Sequence, residues 1–219
     1  MSPTYAHRSL THMGHVAIAL CPGSVGQHVG VFYRLEASDQ PKVLHLAWHH
    51  TLISETPGSE WAFMPTDIDT DILEVLAGFC DLVFSNVANK GTVPYAFEFG
   101  DSGIDDAGAV FVGGSSVGLT CATFVLALFR HARVELLDVN SWRQRDADIA
   151  AQQKLVRFLE RAGVDRSHVA AVCKQVGCMR YRAEEVAVAS VSGPRPVSFE
   201  RAESMGRDFE MYLTKDTSH

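Results

Sequence analysis

Cys121 opens the run Cys121-Ala122-Thr123-Phe124-Val125-Leu126-Ala127-Leu128-Phe129 and follows Thr120. A stretch apolar on nearly every side predicts a buried helix, and Thr120 is a fitting N-cap for it. A cysteine in the first turn of such a helix has a specific chemistry open to it. The thiolate is the nucleophilic form, and free amides and the helix dipole favour it over the thiol. The small residues Gly113-Gly114-Ser115-Ser116 just before it leave room for a substrate. The Cys121 N–H is placed to help hold a developing oxyanion. The same run also allows a packed, inert cysteine.

A nucleophilic thiol needs an imidazole, itself oriented by a third polar group. His28 begins the run His28-Val29-Gly30-Val31-Phe32-Tyr33, and His45 and His49 share one face of the alternating run 42–49. If these two runs pair, one of the latter two histidines approaches His28 across the hairpin. The loop length leaves the register, and so the choice between His45 and His49, open. His15 heads an earlier His-Val-Ala-Ile run and is the alternative base. His168, in Ser167-His168-Val169, reads as a helix start capped by Ser167 rather than as a base strand. Gln27, Thr120 and Tyr95 are candidate oxyanion or substrate contacts.

The elements that must position these residues follow from periodicity. Residues 15–20, 28–35 and 42–49 read as strands, the last two a hairpin joined by the loop 36–41. Residues 51–65 read as a loop. Thr66 is the expected cap of a helix with Ile72, Val75, Leu76, Phe79 and Val83 at helical spacing. Residues 86–116 form a long Gly- and Asp-rich connection, of the kind that often lines sites. Helices are expected at 149–162, 166–176, 182–190 and 199–213, with Pro194 and Pro196 marking a turn before the last. The fold class is therefore α+β: a small antiparallel sheet packed against a buried Cys-bearing helix, then a helical C-terminal part. A single domain is expected over 1–219, with its core at about 14–190 and an extension over 191–219.

Composition removes several function classes. The chain has 219 residues, 47% of them hydrophobic, and a net charge of −7 without any Lys/Arg cluster. It is a poor nucleic-acid binder, because phosphate affinity rests on clustered basic side chains. No apolar run is long enough to suggest a membrane span. Met1-Ser2-Pro3-Thr4-Tyr5 lacks the pattern of a secretory signal. Five widely spaced cysteines do not make a disulfide framework. A cytoplasmic location, or export by a route that needs no signal peptide, is expected. His45 and His49 have a helical zinc spacing but lack the neighbouring Glu of that motif, and Cys173 and Cys178 have neither a zinc nor a redox spacing. Asp101, Asp105 and Asp106 read as a solvated acidic loop. No metal and no cofactor is expected.

In this order, several pieces resemble the circularly permuted papain-like thiol hydrolases, which include the lecithin:retinol acyltransferase group and the permuted relatives of NlpC-type amidases. The pieces are Gly14-His15-Val16-Ala17-Ile18, the run from His28 to Tyr33, Val43-Leu44-His45-Leu46-Ala47, residues 91–99 with Tyr95, and Thr120-Cys121-Ala122-Thr123-Phe124-Val125. Arg180-Tyr181-Arg182-Ala183-Glu184-Glu185-Val186-Ala187 resembles a segment that closes permuted members. The resemblance implies a papain-like fold with the histidine strands before the cysteine helix. It implies Cys121 as nucleophile, His28 as base and His45 as the orienting residue. It further implies hydrolysis of an amide, in a peptide, isopeptide or peptidoglycan stem, through an acyl-enzyme. Two alternatives are an acyl hydrolase or acyltransferase acting on lipids or thioesters, and a non-catalytic peptide- or glycan-binding module. If the substrate is cell wall, an inhibitor or immunity protein is an expected partner. The chain departs from the pattern in having Thr120 where relatives often carry Asn or Asp.

Overall fold

The computed structural model describes residues 13–216. Met1–Tyr5, where no secretory signal is read, and His219 lie outside them. The first part of the chain is sheet: β1 (Val16–Gly23), β2 (Gly26–Tyr33), β3 (Lys42–Trp48), β4 (Thr51–Glu55) and β5 (Ala62–Pro65). They form one antiparallel sheet in the order β4-β3-β2-β1-β5. The expected hairpin of β2 and β3 is present. The stretch 51–65, read as a loop, instead supplies both edge strands. β4 is half-buried to exposed along its whole length, so its sequence carries little of the hydropathy contrast that marks an inner strand.

The rest is mostly helical: α1 (Thr70–Ser85), a two-stranded ribbon of β6 (Gly103–Ile104) and β7 (Val110–Phe111), then α2 (Cys121–His131), α3 (Asp146–Arg161), α4 (Arg166–Lys174), α5 (Ala183–Ser190) and α6 (Phe199–Asp216). Two caps differ from expectation. Asp69, not Thr66, caps α1 by accepting the Asp71 N–H, and Asp165, not Ser167, caps α4 by accepting from Ser167 and His168. In each case a carboxylate one residue before the helix does what a hydroxyl nearby was expected to do.

Strand alternation sorts the sheet into two faces. Ile18 and Leu20, Val29 and Val31, and Leu44 and Leu46 are fully buried against Phe124, Val125 and Leu128 of α2 in the main core. Ala17, Ala19, Phe32, Val43, Trp61 and Phe63 form a second cluster on the opposite face. A third joins α3 and α4 to Tyr95, Ala96 and Phe97. Phe199, Ala202 and Phe209 of α6 belong to the main core, so the C-terminal segment is packed into the same body as the sheet. Among the described residues, no helix is long and apolar enough to cross a membrane.

Gly30 sets how closely β2 and β3 approach. A Cβ there would lie 2.8 Å from Val43 Cγ1, 2.9 Å from His45 Cβ and 2.9 Å from the Leu44 carbonyl oxygen. Backbone and strand-borne atoms cannot yield as a flexible side chain would. Gly30→Ala is expected to cost about 1–3 kcal/mol by overpacking, read as a lower denaturant midpoint at unchanged m-value. An unchanged midpoint would show that the two strands part easily.

Candidate active site

The first turn of α2 is built so that two of its amides stay available to the cysteine. Thr120 Oγ1 accepts the Thr123 N–H at 3.1 Å, while Thr123 Oγ1 accepts the Thr120 N–H at 2.7 Å. This reciprocal cap uses the amides on either side of Cys121 and Ala122. The N–H groups of Cys121 and Ala122 point to the Cys121 thiol, and the N–H of Val29 joins them. Thr120 is thus a cap, as expected.

The Val29 amide is free for this because β2 and β3 separate. Their pairing runs from Tyr33↔Lys42 to Val31↔Leu44 and stops there. In an antiparallel strand the amides alternate between the two neighbours. Arg34 donates toward the β1 side, to the His15 carbonyl. Odd-numbered residues of β2 therefore direct their N–H toward β3. Past Val31 that partner is gone, and the sulfur of Cys121 takes its place at Val29.

His28 and His45 lie on the other face of the sheet from the body of α2. His28 is the register partner of Cys21, and His45 Cβ is among the atoms that Gly30 approaches. His28 Nε2 and His45 Nδ1 are 2.8 Å apart, joining the two strands just past the end of their ladder pairing. Trp61 covers both rings, with centroids at 6.0 Å from His28 and 5.2 Å from His45. His45 Nε2 is 3.3 Å from Glu55 Oε1, without the alignment of a hydrogen bond. The carboxylate favours an N–H at that nitrogen. His45 Nδ1 then accepts, His28 Nε2 donates, and His28 Nδ1 carries the free lone pair; the tautomers are assigned from this network.

His28 and Cys121 line one cavity of about 100 Å³ at the strand ends, together with Gln27, Thr120 and Tyr95. Among the described residues no hydrogen bond joins the thiol to the imidazole. Burial dominates the electrostatics of both. It holds the Cys121 thiol above its ordinary range against the opposing pull of the three amides and the Arg180 guanidinium. It holds His28 and His45 down at about 4, His45 also through its neighbour His28. Near neutral pH the resting site therefore contains a thiol and two neutral rings. The Tyr95 hydroxyl, raised by burial and then by the nearby Cys121, remains a phenol.

The alternates go elsewhere. His49 Nδ1 accepts the Tyr95 N–H at 3.1 Å, and its ring lies 3.8 Å from that of His50 and 4.5 Å from that of His168. His168 Nε2 donates to the Tyr95 carbonyl at 2.9 Å. Both rings hold the cavity wall rather than the thiol. His15 sits beside Arg34, whose carbonyl accepts from its Nδ1 at 3.3 Å, and this is the opposite end of the β1–β2 hairpin from Cys21 and His28. It is remote from Cys121.

Sequence reasoning did not find Glu55, Trp61 and Arg180 as members of the site. The first two fall in the stretch read as a loop. Arg180 lay within a recognised segment but had no role until the fold brought it to the cavity. No group of three or more His, Cys, Asp or Glu side chains able to hold a metal ion occurs among the described residues. Comparison with family models, curated proteins and solved structures gives no match.

The depressed histidines fix a pH dependence of stability. A ring whose folded pKa is about 4 stays neutral in the fold, whereas the unfolded chain takes up its proton near 6.5. Stability is full above about pH 6.5 and falls as pH drops toward 4. The loss from this pair between pH 7 and pH 4.5 is expected to be on the order of 5 kcal/mol. Urea titrations at pH 7 and pH 4.5 should show it, and the double variant His28→Gln/His45→Gln should lose less over the same interval. An equal loss in both proteins would mean that neither ring is desolvated as described.

Proposed function

We propose that the chain is a cysteine hydrolase of the permuted papain-like kind, cleaving an amide through an acyl-enzyme on Cys121. The observation that carries this reading is the thiol itself. It stands in the first turn of α2, ringed by the amides of Val29, Cys121 and Ala122, in a cavity shared with His28. The histidine strands precede the cysteine helix, and His45 is bonded to His28, in keeping with the roles given to the pair.

In the proposed reaction the substrate carbonyl sits between sulfur and ring. The Cys121 thiol proton passes to His28 Nδ1 as the S–C bond forms, and the carbonyl oxygen becomes an oxyanion held by the Cys121 N–H and the Gln27 amide. The C–N bond then breaks, and the amine leaves with the proton from His28. Water attacks the thioester, His28 takes its proton, and the acid departs as the thiol is restored. His45 holds His28 in the tautomer with Nδ1 free, and Glu55 does the same for His45. Because burial disfavours both charged forms at rest, the ion pair is formed only within the loaded cavity.

The test is acyl transfer to the protein from p-nitrophenyl acetate, followed by peptide mass mapping, with a peptide-amide library as the substrate screen. Acetylation is expected at Cys121, and Cys121→Ala should abolish it along with turnover. His28→Ala is expected to lower the rate by about 10²–10⁴, and His45→Ala by less, since His28 can still act without its orienting partner. Acetylation that persists in Cys121→Ala, or is no faster at Cys121 than at the exposed Cys173, would overturn the assignment.

A further inference from the structure

Arg180 is the one Lys, Arg, Asp or Glu among the described residues that line the cavity; the surroundings include Val25, Trp48, Phe97 and Leu155. It reaches there from a buried ionic cluster. Asp148, 1% exposed, receives Arg145 Nε at 2.7 Å on Oδ2, and Arg182 Nε at 2.9 Å with Arg182 Nη2 at 2.8 Å on Oδ1. Arg180 Nη1 is the third and longest contact, at 3.3 Å. Glu185 is taken up by Arg145 and by the Arg182 backbone N–H. Glu203 approaches Arg145 at 3.6 Å and Arg207 at 3.9 Å. Of the three guanidinium groups that share Asp148, the one with the longest contact is the one at the cavity.

Arg180 Nη2 also donates to the Val25 carbonyl, at 3.3 Å. The remaining donors of its fork have no partner among the described residues. A cation held by backbone and a shared carboxylate, with unused donors in a cavity that has no carboxylate of its own and lies beside the thiol, is arranged to receive an anion. The cavity is small and has one cation. That suits a planar monoanion better than a phosphate, which draws on several donors.

Resting on the hydrolase reading, we infer that the substrate carries a carboxylate close to the scissile carbonyl, and that Arg180 is the specificity residue that binds it. The preferred substrates would be amides of acidic or carboxylate-terminated acyl groups.

The test compares iodoacetate with iodoacetamide as alkylating agents of the native protein, rate by rate at each cysteine. Both react by forming the same S–C bond with loss of iodide, so the ratio of the two rates cancels the thiolate fraction and reports only the preference for a carboxylate. The iodoacetate-to-iodoacetamide ratio at Cys121 is expected to exceed that at the exposed Cys173 by about tenfold or more. Arg180→Gln should bring it down to the Cys173 value, and Arg180→Lys should restore part of it. An Arg180 that merely stabilised the thiolate would change both rates together and leave the ratio alone, which would overturn the inference. So would a ratio at Cys121 no higher than at Cys173. If neither reagent reaches Cys121, the nucleophile reading fails by itself, and the anion site is read from benzoate and benzamide titrations of the native protein. Benzoate binding tighter than benzamide, and lost in Arg180→Gln, supports the site. Equal or absent binding of the two removes it.

Discussion

Taking a thiol out of water at the strand ends of a sheet requires polar groups that would otherwise need partners of their own, and much of this structure follows from that. A helix start leaves amides unpaired, and a sheet whose inner strands part leaves another. Here the two deficits meet. The Thr120–Thr123 cap accounts for the flanking amides, β3 leaves the Val29 amide, and the Cys121 sulfur receives what remains. Past the end of the β2–β3 pairing the His28–His45 contact joins the two strands, and Trp61 packs beside both rings. Sulfur and imidazoles are thereby desolvated together, which keeps all of them neutral at rest. A site of this kind stores no ion pair.

Much of this was legible in the residues. The Thr120 cap and the helix behind Cys121 follow from a hydroxyl followed by an unbroken apolar run, and the structure has both. The β2–β3 hairpin follows from alternation, and it brings His45 rather than His49 to His28. Alternation also put His45 and His49 on one face, and the bulge between Leu46 and Trp48 is what spoils that inference: beyond it the chain turns, and His49 and His50 leave the strand. The edge strands β4 and β5 were not legible, β4 because an exposed edge needs no apolar alternation and β5 because four residues are too few to show a period, and with them went Glu55 and Trp61. Arg180 could not be assigned from sequence at all. Its position depends on Asp148, 32 residues earlier, and on the carbonyl of Val25, 155 residues earlier, and such contacts leave no local pattern.

The buried ionic cluster joins parts of the fold that the sheet does not. Asp148 belongs to α3, Glu185 to α5, and Arg180 and Arg182 to the connection between α4 and α5. Pairs of this sort contribute little net stability once desolvation is counted, but removing one member leaves a buried charge alone. Their geometric effect is larger. They fix the chain on both sides of Tyr181, so that its ring stacks on Trp142 at a centroid distance of 5.0 Å and lines the cavity with Arg180.

The backbone of Tyr95 hangs between two rings, its N–H on His49 at the end of β3 and its carbonyl on His168 in α4. The peptide units on either side of this residue are thus a crossbar between the sheet that carries His28 and the helical hairpin that closes the cavity's outer side. The span of that crossbar, not the length of any loop, gauges the distance from the thiol to the far wall. Residues inserted in the α3–α4 turn would be absorbed at the surface, whereas a change of side-chain length at either histidine would alter the bore of the cavity itself.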